Sequence, residues 1–423
     1  MTTYTRRGAL GLAGAFALAA LAACNESAPK PKPAGGTDPS GPAVDMAADD
    51  PAAADYQQGT TPFALAMLGA AVQKQPNAVV SPLSISQCMS LVAQGAAAQT
   101  LDQMAKAFGC ASAESLRSGA NAEVTAIGAL DKATLTIANT SFIDESFPVE
   151  AAYSDVVAKY FGVAPYTTDF ADPAKATEQI NTWVAERTKQ KIPKLLEDGQ
   201  VTPDTEMVLV NALYMKALWA EQFDPDHSEP GTFTRHDGKD VQTRFMRDQR
   251  AVQVAQSGGG LLFALPYEDD DLEALFYLPP EGTSLSDAAD ASKATALAAM
   301  TDELATTDAK LSIPTFEVRQ RRELTPALKA TGIIDAFDID LADFSALSTK
   351  PTYVSFVQHE AWLKVGEKGT EGAAATASGQ EAGAAPDQQG PLEIRLDRPF
   401  LFAVRLRSTN TFAFAAAIND PTK

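Results

Sequence analysis

The pattern of apolar residues changes along the chain, and this change limits the fold more than any other feature. The segment SPLSISQCMSLVAQG (81–95) repeats apolar residues every three or four positions and ends in glycine, which predicts an amphipathic helix. Later segments are strand-like, such as TLTIANTSFI (134–143) and the long apolar run EMVLVNALYMKALW (206–219). Helices early, large antiparallel or mixed sheets later, and no clear boundary after residue 59 together predict an α+β fold.

Two further helices are marked at their first residues by a capping residue followed by proline, a pair favoured where a helix begins. Thr61-Pro62 predicts that one helix begins at Pro62. Asp172-Pro173 predicts the start of another, which extends over residues 172–196. Together with the segment 81–95, the first of these helices makes the first third of the chain mainly helical.

Residues 1–23 have the organisation of an export signal. Arg6 and Arg7 supply the basic region, an apolar core of small residues follows, and LAAC (21–24) places small residues before a cysteine. This lipobox pattern predicts cleavage before Cys24 and attachment of a lipid to its thiol. The protein would then be exported and lipid-anchored to a bacterial cell envelope, facing the periplasm or the cell exterior. A plain secretory signal or an uncleaved anchor is the alternative.

Residues 24–58 differ in composition from everything that follows them. Proline, alanine, glycine and aspartate dominate, and no apolar period is visible. Such a segment buries too little apolar surface to fold, so we expect a disordered tether. The folded domain then covers residues 59–423.

Charge and cysteine content restrict the partners and crosslinks of this chain. The formal net charge is −20, and such a surface repels nucleic acid and anionic lipid. Besides Cys24, Cys88 and Cys110 are the remaining cysteines. Two cysteines make no disulfide framework; Cys88 has the spacing of a small core residue, and a single Cys88–Cys110 bridge is the alternative.

Residues suited to catalysis or metal binding are scarce. The chain has no G-x-S-x-G motif, so the turn that presents a nucleophilic serine in many hydrolases is absent. Three histidines are present, namely His227, His236 and His359. HEAWL (359–363) starts like a zinc-binding helix motif but lacks the second histidine. We therefore expect no catalytic residues, no metal site and no cofactor.

One segment near the end of the chain lacks bulk altogether. Between Glu367 and Gly390 no apolar residue other than Pro386 is larger than alanine, whereas strand-like sequence lies on both sides, at 353–365 and 392–406. Taken alone, the segment has two interpretations. It is either a flexible surface loop or a segment whose small side chains are needed for its function.

The chain from about residue 60 to 420 resembles the serpins. Seven segments match that family in its own order, and together they are far more specific than any one of them. They are NAVVSPLSISQCMSLVAQGA (77–96), INTWVAERTKQKIPKLL (180–196), VLVNALYMKALWAEQF (208–223), KLSIPTFEV (310–318), ADFSALS (342–348), HEAWLKVGEKGTEG (359–372) and LDRPFLFAVR (396–405).

The resemblance implies a fold of about eight to nine helices around three β-sheets, with an exposed reactive-centre loop at about residues 367–391. It also implies a partner, a target protease that mistakes this loop for a substrate. An acyl-enzyme forms, the cut loop inserts into the main sheet as a new strand, and the trapped protease is distorted. We expect the inhibitor to be a monomer. A non-inhibitory binding or structural protein on the same fold, or a substrate that traps nothing, remains the alternative.

The inserting part of the loop, its hinge, must place small side chains on the face that enters the sheet. Side chains alternate between the two faces of a strand, so Thr370, Gly372, Ala374 and Thr376 share one face. Gly372 and Gly379 are departures from the family pattern, since glycine lowers strand stability. The hinge residues that the resemblance implies are Glu367, Gly369, Thr370, Glu371, Gly372, Ala373, Ala374, Ala375 and Thr376.

Two polar groups carry over from the family by motif. Ser81, Ser84, Asn211 and His359 match the shutter, a polar cluster beneath the centre of the main sheet. Polar bonds that break and re-form suit a place where strands part. The breach, at the top of the sheet, is matched by Lys310, Glu367 and Trp219, with a salt bridge expected between Lys310 and Glu367. Glu360, next to the shutter histidine, stands where lysine is usual.

The bond that the protease cuts lies in a run of small residues. Counted from Glu367 in the family's usual way it is Gly383–Ala384, and a shifted register places it at Glu381–Ala382. Small residues suit an elastase-like or subtilisin-like serine protease, or a papain-like cysteine protease. The shifted register suits a glutamate-specific protease instead. Trypsin-like proteases need Arg or Lys, and neither occurs between Lys368 and Arg395.

Overall fold

The structure is a computed structural model that describes residues 31–34, 39, 44, 53–72, 77–370 and 390–423. Within these residues the chain forms nine α-helices, of which six precede residue 190, and this confirms the prediction of an early helical region. No helix in this part of the chain combines the length and hydropathy that a bilayer crossing needs. The helices are α1 (Ala54–Val72), α2 (Pro82–Ala93), α3 (Ala98–Ala107), α4 (Ala113–Ala129), α5 (Ala151–Phe161), α6 (Pro173–Arg187), α7 (Leu285–Ala288), α8 (Ala294–Asp302) and α9 (Thr325–Ala330).

Strands alternate with the early helices and dominate the later part of the chain. They are β1 (Lys32–Pro33), β2 (Asn77–Val80), β3 (Thr134–Asp144), β4 (Tyr166–Thr168), β5 (Met207–Leu218), β6 (Glu229–Thr234), β7 (Asp240–Ser257), β8 (Gly260–Pro266), β9 (Leu272–Leu278), β10 (Ala305–Pro314), β11 (Phe316–Glu323), β12 (Phe356–Gly366), β13 (Gly369–Thr370), β14 (Leu392–Arg395), β15 (Phe400–Leu406) and β16 (Thr411–Ile418). The predicted strands at 134–143 and 206–219 are confirmed as β3 and β5.

The described strands form two sheets by hydrogen-bond connectivity. The main sheet has seven strands in the order β1-β4-β3-β5-β13-β12-β11, and β5 also pairs directly with β12. The second has nine, in the order β14-β10-β7-β8-β9-β15-β16-β2, with β6 also on β7. The 18-residue strand β7 pairs with β6 through residues 240–245 and with β8 through residues 253–257, and β10 pairs with the stretch between them. Two of the three expected sheets are therefore continuous through β7, and the α+β class is confirmed.

Strand β5 lies at the centre of the molecule because both of its faces are covered. Val208, Val210 and Ala212 pack with the helix α6 side chains Ile180 and Trp183 on one side. The alternating residues of β5 join the core clusters on the other side. This two-sided burial explains why the sequence of β5 is a continuous apolar run rather than an alternation of apolar and polar residues.

Helix α2 differs from its prediction, because every one of its residues is buried. It contacts α1, α3, α4, β3, β5 and β16, so no face is left for solvent. The side chain of Ser81 accepts a hydrogen bond from the Ser84 amide and caps the first turn. The polar side chains of Ser84, Ser86 and Gln87 form internal hydrogen bonds. The predicted helix is confirmed, and only its predicted polar, solvent-facing side is wrong.

Helix α1 begins at Ala54 and carries Pro62 inside it, so the predicted start at Pro62 is wrong. Tertiary packing supports the extra turns: Tyr56 is buried, and a Cβ on Gly59 would lie 2.0 Å from the Phe108 carbonyl oxygen. Upstream, Lys32–Pro33 forms β1 by pairing with β4 at the edge of the main sheet. The expected disordered tether over residues 24–58 is therefore wrong for residues 32–33 and 54–58.

The helix predicted over residues 172–196 is confirmed at its start and shorter at its end. Asp172 caps the first turn by accepting from the Lys175 amide, and Pro173 is the first helical residue. The helix ends at Arg187, because the next residues leave helical geometry, with φ of 50° at Lys189 and 63° at Gln190. Apolar residues that follow the helix, Ile192, Leu195, Leu196 and Val201, pack with Val208, Val210 and Ala212 of β5.

Candidate functional site

We call the boundary between β5 and β12 the seam. The resemblance to the serpins implies that the strands of the main sheet separate there. The two strands pair directly in parallel from Val208–Phe356 to Leu213–Ala361. Above that level they are separated by β13. This short strand pairs antiparallel with Leu218 and Ala217 of β5 on one side and with β12 on the other. The first residues of the predicted loop therefore already occupy the seam.

Thr370 faces the interior at this point, in agreement with its predicted orientation. Only 1% of the residue is exposed, and its Oγ1 lies 2.5 Å from the hydroxyl oxygen of Tyr267. The preceding Gly369 has a φ of +148°, and a Cβ there would lie 2.1 Å from the Ala217 carbonyl oxygen. A side chain at residue 369 would therefore clash with β5, so only glycine fits between the two strands.

Trp219 holds the turn that leads into β13. Its indole nitrogen donates to the Gly366 carbonyl oxygen at 2.9 Å, and its ring stacks on Tyr267 with centroids 4.6 Å apart. Its backbone amide donates to the Lys368 carbonyl oxygen. This agrees with the expected place of Trp219 at the top of the sheet.

The expected salt bridge between Lys310 and Glu367 is wrong. Glu367 pairs with Arg244, whose Nε donates to Oε1 at 2.6 Å, and this guanidinium holds the pKa of the carboxyl below its ordinary value against the opposing effect of partial burial. Lys310 is exposed and lies opposite Gln249 of β7. Gln249 is five residues from Arg244, a separation of about 17 Å along a strand. Lys310 therefore lies too far along the second sheet to form a salt bridge with Glu367.

The four residues predicted for the shutter lie together. The Ser81 amide donates to Nε2 of His359 at 3.2 Å, so Nε2 is the acceptor and Nδ1 carries the proton. Nδ1 then donates to Oδ1 of Asn211, which is the register partner of His359 across the seam. A side-chain hydrogen bond therefore joins β5 to β12 just where these strands would have to separate.

Asn139, which the sequence comparison did not single out, completes this cluster. It is the register partner of Asn211 on β3, and its Oδ1 accepts from Asn211 at 3.0 Å and from the Ser84 hydroxyl at 3.0 Å. Its amide donates to the Ser84 carbonyl oxygen at 2.6 Å. An asparagine inside a strand-like run is unusual, because asparagine is depleted in strands, and this was the available signal.

Glu360 is fully buried beside the shutter histidine and is paired twice. Arg319 and Arg321 of β11 donate to its two carboxylate oxygens, at 2.6 and 3.0 Å. Arg321 also forms an ion pair with Glu197, in the segment that follows α6. The charge that departs from the family pattern is therefore balanced by two arginines in the neighbouring strand.

Burial lowers the pKa of His359 to about 3 from an ordinary 6.5, and the nearby Arg322 guanidinium acts in the same direction. A second buried group has the opposite shift. Glu123 of α4 accepts hydrogen bonds from the Tyr56 hydroxyl and the Gln87 amide, and burial raises its pKa to about 8 from 4.5. Both side chains are thus expected to be neutral in the native protein near pH 7.

These shifts predict how the stability of the native state depends on pH. As pH falls from 6.5 to 3, the unfolded chain binds a proton at His359 that the native state refuses, so stability falls. As pH rises from 4.5 to 8, the unfolded chain loses a proton that native Glu123 keeps, so stability also falls. Each slope is at most about 1.4 kcal/mol per pH unit.

Between pH 4.5 and 6.5 the two effects oppose each other, and we expect a flat maximum in the thermal unfolding midpoint. Above pH 6.5 the midpoint should fall, and Glu123→Gln should remove that fall while leaving the acid limb unchanged. Thermal unfolding followed by circular dichroism from pH 3 to 9 measures both limbs. An unchanged alkaline limb in Glu123→Gln would contradict the assignment.

The remaining predicted residues either lie outside the residues that the structure describes or are buried cysteines. Glu371 to Thr376, and both candidate bonds, Gly383–Ala384 and Glu381–Ala382, lie outside the described residues, as does Cys24. Cys88 and Cys110 are buried free thiols, so no bridge joins them.

Comparison with known proteins agrees with this geometry. A family profile described as Serpin (serine protease inhibitor) matches residues 58–421. Human serpin B8 is 32% identical over 355 residues, covering 82% of this chain and 93% of that protein. Leukocyte elastase inhibitor of Xenopus laevis is 28% identical over 355 residues, with the same coverage. The crystal structure of tengpin, a thermophilic serpin in its native state, has a TM-score of 0.78 and 26% identity, covering 86% of this chain and 94% of that one.

The chain belongs to the serpin family. Members of this family are generally protease inhibitors rather than enzymes, and their partners are target proteases.

Proposed function

We propose that this protein is an irreversible suicide-substrate inhibitor of a serine or cysteine endopeptidase. The protease attacks the reactive-centre loop and forms an acyl-enzyme. The cut loop then enters the seam as a new strand before water can hydrolyse the ester or thioester. The observation that supports this best is β13, because Gly369 and Thr370 pair with β5 and β12 at the point where insertion has to start.

The seam favours insertion over a permanently closed sheet in two ways. Below β13, a side-chain hydrogen bond from His359 to Asn211 joins the strands, and these two polar groups can exchange this bond for new partners on an inserted strand. The hinge sequence beyond Thr370 consists of small residues and one carboxylate up to Gly379. Overpacking a closed core with larger side chains costs about 1–3 kcal/mol, and this loop avoids that cost.

The target class follows from the small residues around Gly383. We propose an elastase-like or subtilisin-like serine protease, or a papain-like cysteine protease, whose primary pockets accept small side chains. One relative is named leukocyte elastase inhibitor, which supports the first of these. We also propose that Cys24 carries a lipid that holds the inhibitor at the bacterial envelope.

Incubation of residues 25–423 with pancreatic elastase, subtilisin and papain, followed by denaturing gels, tests the proposal. We expect an adduct that survives denaturation with at least one of them, and mass spectrometry should locate the new end at Gly383. Trypsin should form no adduct. Cleavage in the loop without any adduct would leave a substrate or a non-inhibitory protein and would sink the trapping mechanism.

A matched variant tests the position of the bond. Gly383→Arg should transfer adduct formation to trypsin, because trypsin-like pockets require a basic side chain. Glu381→Arg is the control for the shifted register. If trypsin forms an adduct with Glu381→Arg and not with Gly383→Arg, the cut bond is Glu381–Ala382.

A further inference from the structure

The hydroxyl groups of Tyr267 and Thr370 form an isolated polar pair inside the top of the main sheet. Both residues are only 1% exposed, and their oxygens lie 2.5 Å apart. Within the described part of the chain, Thr370 is the one side-chain partner of the Tyr267 hydroxyl. Each hydroxyl therefore depends on the other for its hydrogen bond.

The position of the Tyr267 hydroxyl is fixed by its surroundings. The ring stacks on Trp219 with an angle of 14° between planes, and Tyr267 and Trp219 also form a backbone bridge. Trp219 in turn binds the carbonyl oxygens of Gly366 and Lys368. The Tyr267 hydroxyl is thus held in a fixed position beside Thr370, where the loop enters the sheet.

We propose that Tyr267 is a positioning residue that holds Thr370 in the seam through this hydrogen bond, so that the hinge is already started on its insertion before a protease arrives. The proposal rests on the loop insertion proposed above. It adds that residue 370 is required to be polar as well as small as long as residue 267 carries a buried hydroxyl. Withdrawal of Thr370 would leave the buried Tyr267 hydroxyl without a partner, which opposes release of the hinge.

Isosteric substitutions separate polarity from size. Thr370→Val and Tyr267→Phe each remove one hydroxyl and leave the other buried and unpaired, whereas the double variant leaves none unpaired. Thr370→Ser keeps the hydroxyl and is the conservative control. The readout is hydrogen–deuterium exchange of peptides that cover residues 366–370, measured on the whole folded chain without protease.

We expect each single variant to raise exchange at residues 366–370 about tenfold, and the double variant to return to within about threefold of the parent protein. Thr370→Ser should match the parent. The fraction of protease trapped as adduct should fall in both single variants and recover in the double variant. If Tyr267 had only a general structural role, Tyr267→Phe would raise exchange at residues 366–370 by the same factor whether or not residue 370 carries a hydroxyl.

Unchanged exchange in both single variants would overturn the proposal, and so would a double variant in which the two single effects simply add. Because exchange is measured without protease, it decides the role of Tyr267 even if no protease forms an adduct. Absence of an adduct in the parent protein contradicts the proposed function instead. Circular dichroism of each variant establishes that it is folded before exchange is compared.

Discussion

Thr370→Arg should leave the protein folded and convert it from an inhibitor into a substrate. Residue 370 is 1% exposed, and its side chain meets Tyr267 rather than solvent. An arginine there would have to be overpacked into the sheet, at about 1–3 kcal/mol, and its charge would lack a partner, at further cost. Insertion should slow by at least about tenfold, so that hydrolysis of the acyl-enzyme wins.

The ratio of adduct to cleaved inhibitor on a denaturing gel measures this effect. Thr306→Arg is the matched control, because Thr306 lies at an exposed position of β10 and should tolerate the same change. If Thr370→Arg traps as much protease as the parent protein, an arginine at residue 370 does not obstruct insertion and the assigned face of the loop is wrong.

His359→Leu should have the second large effect, on the native state itself. The substitution leaves the Ser81 amide and the side-chain oxygen Oδ1 of Asn211 without their partner inside the seam. Each unsatisfied buried group costs about 1–3 kcal/mol, so the total loss is about 2–6 kcal/mol. We expect a thermal unfolding midpoint lower by about 4–12 °C, and faster loss of inhibitory capacity when the protein is stored warm.

His227→Leu is the control for this experiment, since His227 is an exposed histidine in a turn and should change the midpoint little. Thermal scans and the remaining adduct yield after incubation at 37 °C give the two readouts. A midpoint for His359→Leu equal to that of His227→Leu would mean that the cluster contributes nothing to closure of the seam.

Local sequence patterns predicted elements whose shape is set by nearby residues. Asp172-Pro173 marked the start of α6 because capping and a fixed proline φ act within one turn. The apolar run of β5 was recognisable because burial on both faces removes the alternation of polar residues. The α+β class needed no more than these elements in their order.

Features that depend on distant parts of the chain were not predictable in the same way. Helical periodicity in α2 could not reveal that β16, more than 300 residues later, covers its remaining face. Thr61-Pro62 resembled a helix start because the packing of Gly59 on Phe108 is invisible to a local pattern. Tertiary contacts overrode local preference in both cases.

The candidate site was predicted through its resemblance to a family, and its one misplaced contact shows the limit of that route. Motif matching located Ser81, Ser84, Asn211 and His359, which share one hydrogen-bonded cluster. It assigned Glu367 the wrong partner, because the partner of a carboxylate is decided by register between strands far apart in sequence. Arg244 reaches Glu367 and Lys310 does not.

The central claim is that the cut loop becomes a strand in the seam between β5 and β12. Cleavage of the loop in the isolated inhibitor, followed by a thermal scan of the cut and the intact protein, tests it most directly. A strand that gains about ten net backbone hydrogen bonds, at about 1 kcal/mol each, should raise the unfolding midpoint by about 20 °C. An equal or lower midpoint in the cut protein would contradict insertion.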